Sequence, residues 1–257
     1  MWDDFKYISL GATLNICSAL SGGYFLENIK VLRQINPTIK YNNLVYKQYS
    51  TLGYRCWLNG FIPWGISQAL TKGIPVIFVN KTSEKKLQPY IDNNYIRFGI
   101  SGCLSGIVQS VCVTPTQRLK TVVWNEKINV WNALQKETYY TLYRGLTPMA
   151  CRRGIDLSLR SSIINSNIEI KTLLEKCQLG IFATIFSCLI SQPFDTIVAR
   201  RQSKYKDTYS FYKHIINIYK KNGIPGFYRG LSLRLIDASQ HTLWIFIVSN
   251  IILSRTY

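Results

Sequence analysis

Apolar stretches recur along the chain and predict six long helices, over about 5–35, 61–80, 93–124, 146–165, 172–203 and 231–254. At 1.5 Å per residue each can cross roughly 30 Å of hydrocarbon. None is a clean leucine-rich span. The fourth, LTPMACRRGIDLSLRSSII, carries Arg152, Arg153, Asp156 and Arg160. A search for isolated spans would reject it, but such residues can face water in a bundle built around an aqueous interior. Between the members of each pair lie short basic, aromatic, amphipathic segments, near 43–52, 127–136 and 208–220. They read as helices lying along a membrane surface rather than crossing it.

A short element follows each surface segment: WLNG ending at Gly60, LYRG at Gly145 and FYRG at Gly230, spaced 85 residues apart both times. A fixed period of this kind marks a repeat architecture. The predicted unit is two spans plus one surface helix, used three times, with boundaries at 1–85, 86–168 and 169–257. The fold class expected is therefore an all-α membrane protein, with six transmembrane helices in three pseudo-threefold repeats.

Composition supports this. The formal charge is +18, yet 47% of the residues are apolar and mean hydropathy is near zero. A basic nucleic-acid binder would gather its bases on one face. Here they punctuate apolar runs at wide intervals, so no nucleic-acid partner is expected. The seven cysteines are scattered with no CxxC pair, which argues for free thiols over a disulfide framework or a zinc site. The start, MWDDFKYISLGATLNICSAL, is acidic and then apolar; it lacks the character of a transit or secretory peptide, so any targeting signal is expected to be internal. No phosphate-cradling glycine loop is present, and no catalytic triad or metal cluster stands out. A non-enzyme without cofactors is expected.

Three clusters echo one another: FLENIKVLRQ from Phe25, PTQRLK from Pro115 and PFDTIVARRQ from Pro193. With the aromatic-base-glycine elements LYRG and FYRG after the second and third, and the looser WLNG after the first, they resemble the mitochondrial carrier family over essentially the whole chain. The resemblance implies a six-helix barrel that carries metabolites across the mitochondrial inner membrane by alternating access, as a monomer, with membrane lipid such as cardiolipin as a partner. It also implies a matrix gate in which each repeat's acid pairs with the next repeat's base: Glu27 with Lys120, Gln117 with Val198, and Asp195 with Lys30. Two pairs keep their charges. The third has lost both, which is nearly neutral, whereas losing one would strand a charge. Gln34 and Gln202 fall where the family places a bracing glutamine, and Trp124 stands there in the second repeat. Proline bends a helix; Phe25 replaces the first proline, so Gly22 and Gly23 are expected to supply that bend. The family's second gate, on the cytoplasmic side, is degenerate in FVNKTSE, INSNIEI and IVSNIIL. That departure motivates an alternative, a carrier-derived adapter or receptor that does not transport.

Small residues along the third span (Gly99, Gly102, Gly106), the first (Gly11, Ser18, Gly22) and the fifth (Gly180, Ala183, Ser187) allow close helix approach. For cargo, the resemblance points seven and eight residues past the repeat glycine, at Arg152 and Arg153, with Asp237, Ser67 and Gln68 at the corresponding places and Lys72 one turn deeper. Arg152, Asp156 and Arg160 share one helical stripe, as do Arg234, Asp237 and His241. Adjacent arginines repel unless an anion joins them, and guanidinium forks suit carboxylates and phosphates. The expected cargo is a small anion, a nucleotide or a di- or tricarboxylate, with Arg160 and Arg234 as further contacts. The plainer alternative is that Asp156, Arg160, Arg234 and His241 pair among themselves.

Overall fold

A computed structural model of the protein describes residues 15–36, 38–58, 61–62, 66–126, 130–166, 172–203 and 210–254. All regular structure among them is helical. Residues 15–18 lead through a π-turn at Ala19–Gly23 into α1 (Tyr24–Ile35). There follow α2 (Tyr41–Leu52), α3 (Ile66–Leu87), α4 (Asn94–Glu126), α5 (Val130–Lys136), α6 (Tyr139–Leu142), α7 (Leu146–Ser166), α8 (Leu173–Gln202), α9 (Phe211–Asn222) and α10 (Leu231–Ser254). The long helices fall where the apolar stretches predict them. The N-terminal part of the first stretch, Gly11 included, lies outside the described residues.

Long helices pack beside their neighbours in chain order: α3 on α4, α4 on α7, α7 on α8, α8 on α10, and α10 back on α1. α1 also meets α4 and α8. Among the described residues α4 and α8 are long and apolar enough to cross a membrane. α7 is polar for the reason visible in its sequence, the charges at Arg152, Arg153, Asp156 and Arg160.

The small-residue face of α4 is used against α7. A Cβ at Gly99 would meet Ser162 Oγ at 2.7 Å, one at Gly102 would meet the Leu157 carbonyl at 2.6 Å, and one at Gly106 would run into the carbonyl of Arg153. On α8, Ala183 and Ser187 are fully buried. Close backbone approach thus fixes the part of α7 that bears the arginine pair.

The first long helix bends without proline. Gly22 takes φ +113° and ψ −13° inside the π-turn, a conformation costly for any residue with a Cβ. Gly23 next to it lies against α10: a Cβ there would sit 3.0 Å from Asp237 Oδ1. Pro115 and Pro193 lie inside α4 and α8, both of which continue beyond them. Of the surface helices, α9 is plainly amphipathic: His214 and Ile218 are buried while Tyr212, Ile216 and Tyr219 are exposed. Ser210 caps it by accepting from the Lys213 backbone N–H at 3.4 Å.

Candidate functional site

Glu27, Lys30 and Gln34 are three and four residues apart on α1 and so share a face. Glu27 reaches α4, while Lys30 and Gln34 both reach α8. Lys120 Nζ on α4 lies 2.7 Å from Glu27 Oε2. Gln117, one turn earlier on α4, donates to Glu27 Oε1 at 3.3 Å. The glutamine expected opposite Val198 therefore joins the neighbouring ion pair. Lys120 is wholly buried. Its ammonium lies 4.9 Å from the Trp124 ring centroid and 5.3 Å from that of Tyr24, a cation–π arrangement on the side away from the carboxylate. Tyr24 packs edge-on against Trp124 and Phe61, 5.2 Å from each. Where a bracing glutamine was the reference, Trp124 holds the lysine by its ring instead.

The second link is built on Asp195 of α8. Its Oδ2 lies 3.2 Å from Lys30 Nζ and accepts from Gln34 Nε2 at 2.9 Å. Its Oδ1 lies 2.9 Å from Arg152 Nε of α7. The carboxylate is thus shared by three helices. Gln34 is itself held, because Arg200 Nε donates to its carbonyl at 3.1 Å. Val198, one turn further on, is buried. Gln202 is turned elsewhere: its Nε2 donates to the Arg144 carbonyl at 3.4 Å, and its own carbonyl accepts from Arg118. Arg118 is fully buried and lies 2.7 Å from Glu137 Oε1. This pair joins α4 to the segment before α6. Its arginine stands inside PTQRLK, but the sequence reading passed over it in favour of the two flanking positions.

Further along the bundle, Asp156 Oδ1 lies 3.2 Å from Arg160 Nη2 and 3.9 Å from Arg234 Nη2. α8 supplies the remaining partners. Arg160 Nε donates to Ser187 Oγ at 3.0 Å. Arg234 donates to Ser191 Oγ at 2.6 Å and Gln192 Oε1 at 3.0 Å. Ser187, Ser191 and Asp195 are four apart, a polar stripe along an otherwise apolar helix, and that spacing was the legible signal for it. Asp156, Arg160 and Arg234 therefore follow the plainer of the two expectations, pairing with each other and with α8. His241 Nε2 contacts Asn15 Oδ1 at 2.7 Å.

What stays uncommitted is a smaller set. Among the described residues, no ion pair within 4.0 Å is formed by Lys72, Arg153 or Asp237. The charges acting on Lys72 include Glu27, Lys120, Arg153 and Asp237, so these groups share one electrostatic neighbourhood. Gln68 lies on α3, with its side chain outside the described residues. Ser67 accepts from Thr71 Oγ1 through its carbonyl at 2.9 Å. Across the whole set, Lys30, Lys72, Lys120, Arg152, Arg153, Arg160 and Arg234 face Glu27, Asp156, Asp195 and Asp237. Seven bases against four acids give this set an excess of three positive charges among the described residues.

Such an interior can hold an anion by charge and by guanidinium forks. Of the cytoplasmic-gate segments, Phe78 in FVNKTSE is 70% exposed; most of INSNIEI and the side chains of IVSNIIL lie outside the described residues.

Comparison with known proteins gives a consistent picture. The family model described as "Mitochondrial carrier protein" matches residues 170–254. A citrate/oxoglutarate carrier protein of Saccharomyces cerevisiae is 25% identical over 262 residues, covering 90% of this chain and 83% of the relative. A mitochondrial citrate transporter B of Aspergillus niger is 28% identical, covering 53% of this chain and 52% of its own length. A mitochondrial glycine transporter of Saccharomyces cerevisiae is 26% identical, covering 57% of each.

Proposed function

We propose that the chain is a member of the mitochondrial carrier family, whose model matches residues 170–254, and that it moves a small polycarboxylate across the mitochondrial inner membrane by alternating access. In this reading the helical stretch 15–35, which ends in α1, and α3, α4, α7, α8 and α10 are the six spans, grouped as repeats 1–85, 86–168 and 169–257. The observation that carries the cargo assignment is the excess of three positive charges over acids in this set. A tricarboxylate neutralises that excess fully and a dicarboxylate neutralises most of it. A zwitterion such as glycine leaves it untouched. Lys72 and Arg153 are the cargo contacts, because their charges are not already spent on protein acids. Asp237 limits how much negative charge the site accepts.

The links Glu27–Lys120 and Lys30–Asp195 form the matrix gate. Each is a largely buried ion pair, so opening has to give both charges water or a new partner. Cargo binding shifts the equilibrium by as much as it prefers the open arrangement, and a second anion loaded from the other side resets it. No bond in the cargo is made or broken. The aromatic, lysine-bearing helices α2, α5 and α9 lie at the membrane surface, where anionic lipid such as cardiolipin suits them.

The test is uptake of radiolabelled citrate, oxoglutarate, ATP and glycine into liposomes bearing the purified protein. Citrate or oxoglutarate is expected to enter, fastest against a preloaded anion. Uptake of glycine alone would overturn the charge argument. Folded protein that admits none of the four would favour the adapter reading.

A further inference from the structure

Arg152 and Arg153 are neighbours on α7, yet they are differently employed. Arg153 makes no ion pair within 4.0 Å among the described residues, whereas Arg152 reaches down to the gate acid. Its Nε lies 2.9 Å from Asp195 Oδ1, while Lys30 and Gln34 take Oδ2. The other end of the same guanidinium has no oxygen acceptor among the described residues; Nη1 meets only Met149 Sδ, at 3.9 Å. The side chain retains 13% of its exposure. Arg152 is therefore held to the gate acid by an ion pair in which its Nε makes no hydrogen bond, while its terminal amino groups meet no protein oxygen among the described residues.

Resting on the cargo reading above, we propose that Arg152 is a coupling residue: it holds Asp195 in the empty protein and passes to a carboxylate of the cargo when one binds. Two features of the site favour such a transfer. A carboxylate at the terminal amino groups makes the two-point contact that the single Nε approach to Asp195 does not, and two-point guanidinium pairs are the stronger kind. Asp195 is not stranded by the loss, because Lys30 and Gln34 remain on Oδ2. Removing a cation from a carboxylate that keeps another costs far less than leaving a buried charge alone. The link that remains is weaker by one positive charge, so occupancy of the cavity loosens the gate directly. This also accounts for the missing charges at Gln117 and Val198. The third tie between helices is made by Arg152, from α7, and it is one that cargo can undo.

The consequence is a sign that ordinary contact residues do not produce. Asp195 competes with cargo for Arg152, so removing the acid should tighten binding, but only while Arg152 is present. The experiment is a double-mutant cycle on purified full-length protein, measuring citrate affinity and, separately, the ligand-free melting temperature. D195N is expected to raise citrate affinity several-fold in the wild-type background and to leave it unchanged in R152Q. R152Q alone should lower affinity tenfold or more. Without ligand, the melting shifts of R152Q and D195N should be less than additive in the double variant. R152K supplies a check if R152Q folds poorly: its single ammonium can still pair with Asp195, so the melting temperature should hold while citrate affinity falls. Additive ligand-free shifts, or equal effects of D195N with and without Arg152, would overturn the transfer while leaving the cargo reading intact. Wild-type protein that binds neither citrate nor oxoglutarate would overturn the cargo reading and the transfer with it, even if the ligand-free cycle were coupled.

Discussion

Lys120 shows how much one position in this protein depends on its neighbours. Its charge is balanced by Glu27 and its far side is covered by Tyr24 and Trp124. Lys120→Ala leaves Glu27 with Gln117 alone and is expected to destabilise the closed form by about 2–4 kcal/mol, toward the lower part of the range for broken buried pairs because Glu27 is partly wet. The paired reversal E27K/K120E should recover most of the lost melting temperature. If the double variant melts no higher than either single variant, the two charges do not act as a pair. Trp124→Gln should give a milder loss of about 1 kcal/mol, since a glutamine returns a hydrogen bond but gives up the cation–π contact.

At the scale of the element, two glycines make opposite predictions. Gly22 has φ +113°, so Gly22→Ala should cost roughly 1–2 kcal/mol by steric strain alone, even though nothing would touch the new methyl. Gly73, inside α3, also has open space around it but an ordinary helical backbone, and Gly73→Ala should stabilise by about 0.5–1 kcal/mol. Equal melting shifts of one sign for the two variants would show that the π-turn does not demand a glycine. Where α4 crosses α7 the limit is space rather than torsion. Gly106→Val forces apart two backbones in contact and is expected to cost at least about 1–3 kcal/mol as overpacking. Because Arg153 lies at that crossing, uptake should fall further than stability does; a rate that follows melting temperature alone would mean the crossing does not position the arginines.

For the whole molecule, the described structure is tied more firmly at one end. Glu27–Lys120, Lys30–Asp195–Arg152 and Arg118–Glu137 draw α1, α4, α7 and α8 together there. In the proposed carrier reading, closure at that end turns the charged interior toward the other. Uptake should therefore slow as ionic strength rises, by several-fold between low and physiological salt, because a charged mouth attracts anions over a Debye length of about 8–10 Å. A rate independent of salt would detach the positive interior from cargo entry. The protein is also expected to stay with membranes through an alkaline carbonate wash.

The element positions were readable because a membrane solvent leaves a coarse signature: stretches long enough to span, interrupted by short amphipathic segments and returning glycines. The Gly22 bend was readable too, since a helix that lacks the proline of its sister segments needs another source of curvature. Partner choice inside the bundle was not. The spacing of Glu27, Lys30 and Gln34 determined that they share a face, and the repeat determined which charges could meet. Only the packing of α7 on α8 brought Arg152, rather than Arg153, within reach of Asp195. Only the third dimension turned Ser187, Ser191 and Gln192 of α8 toward Arg160 and Arg234, removing those two arginines from the uncommitted charges. Sequence fixes which charges exist and which face of a helix bears them. How they are shared depends on distances of a few ångströms between helices far apart in the chain, and electrostatic pairing falls off too steeply over those distances for any linear pattern to report it.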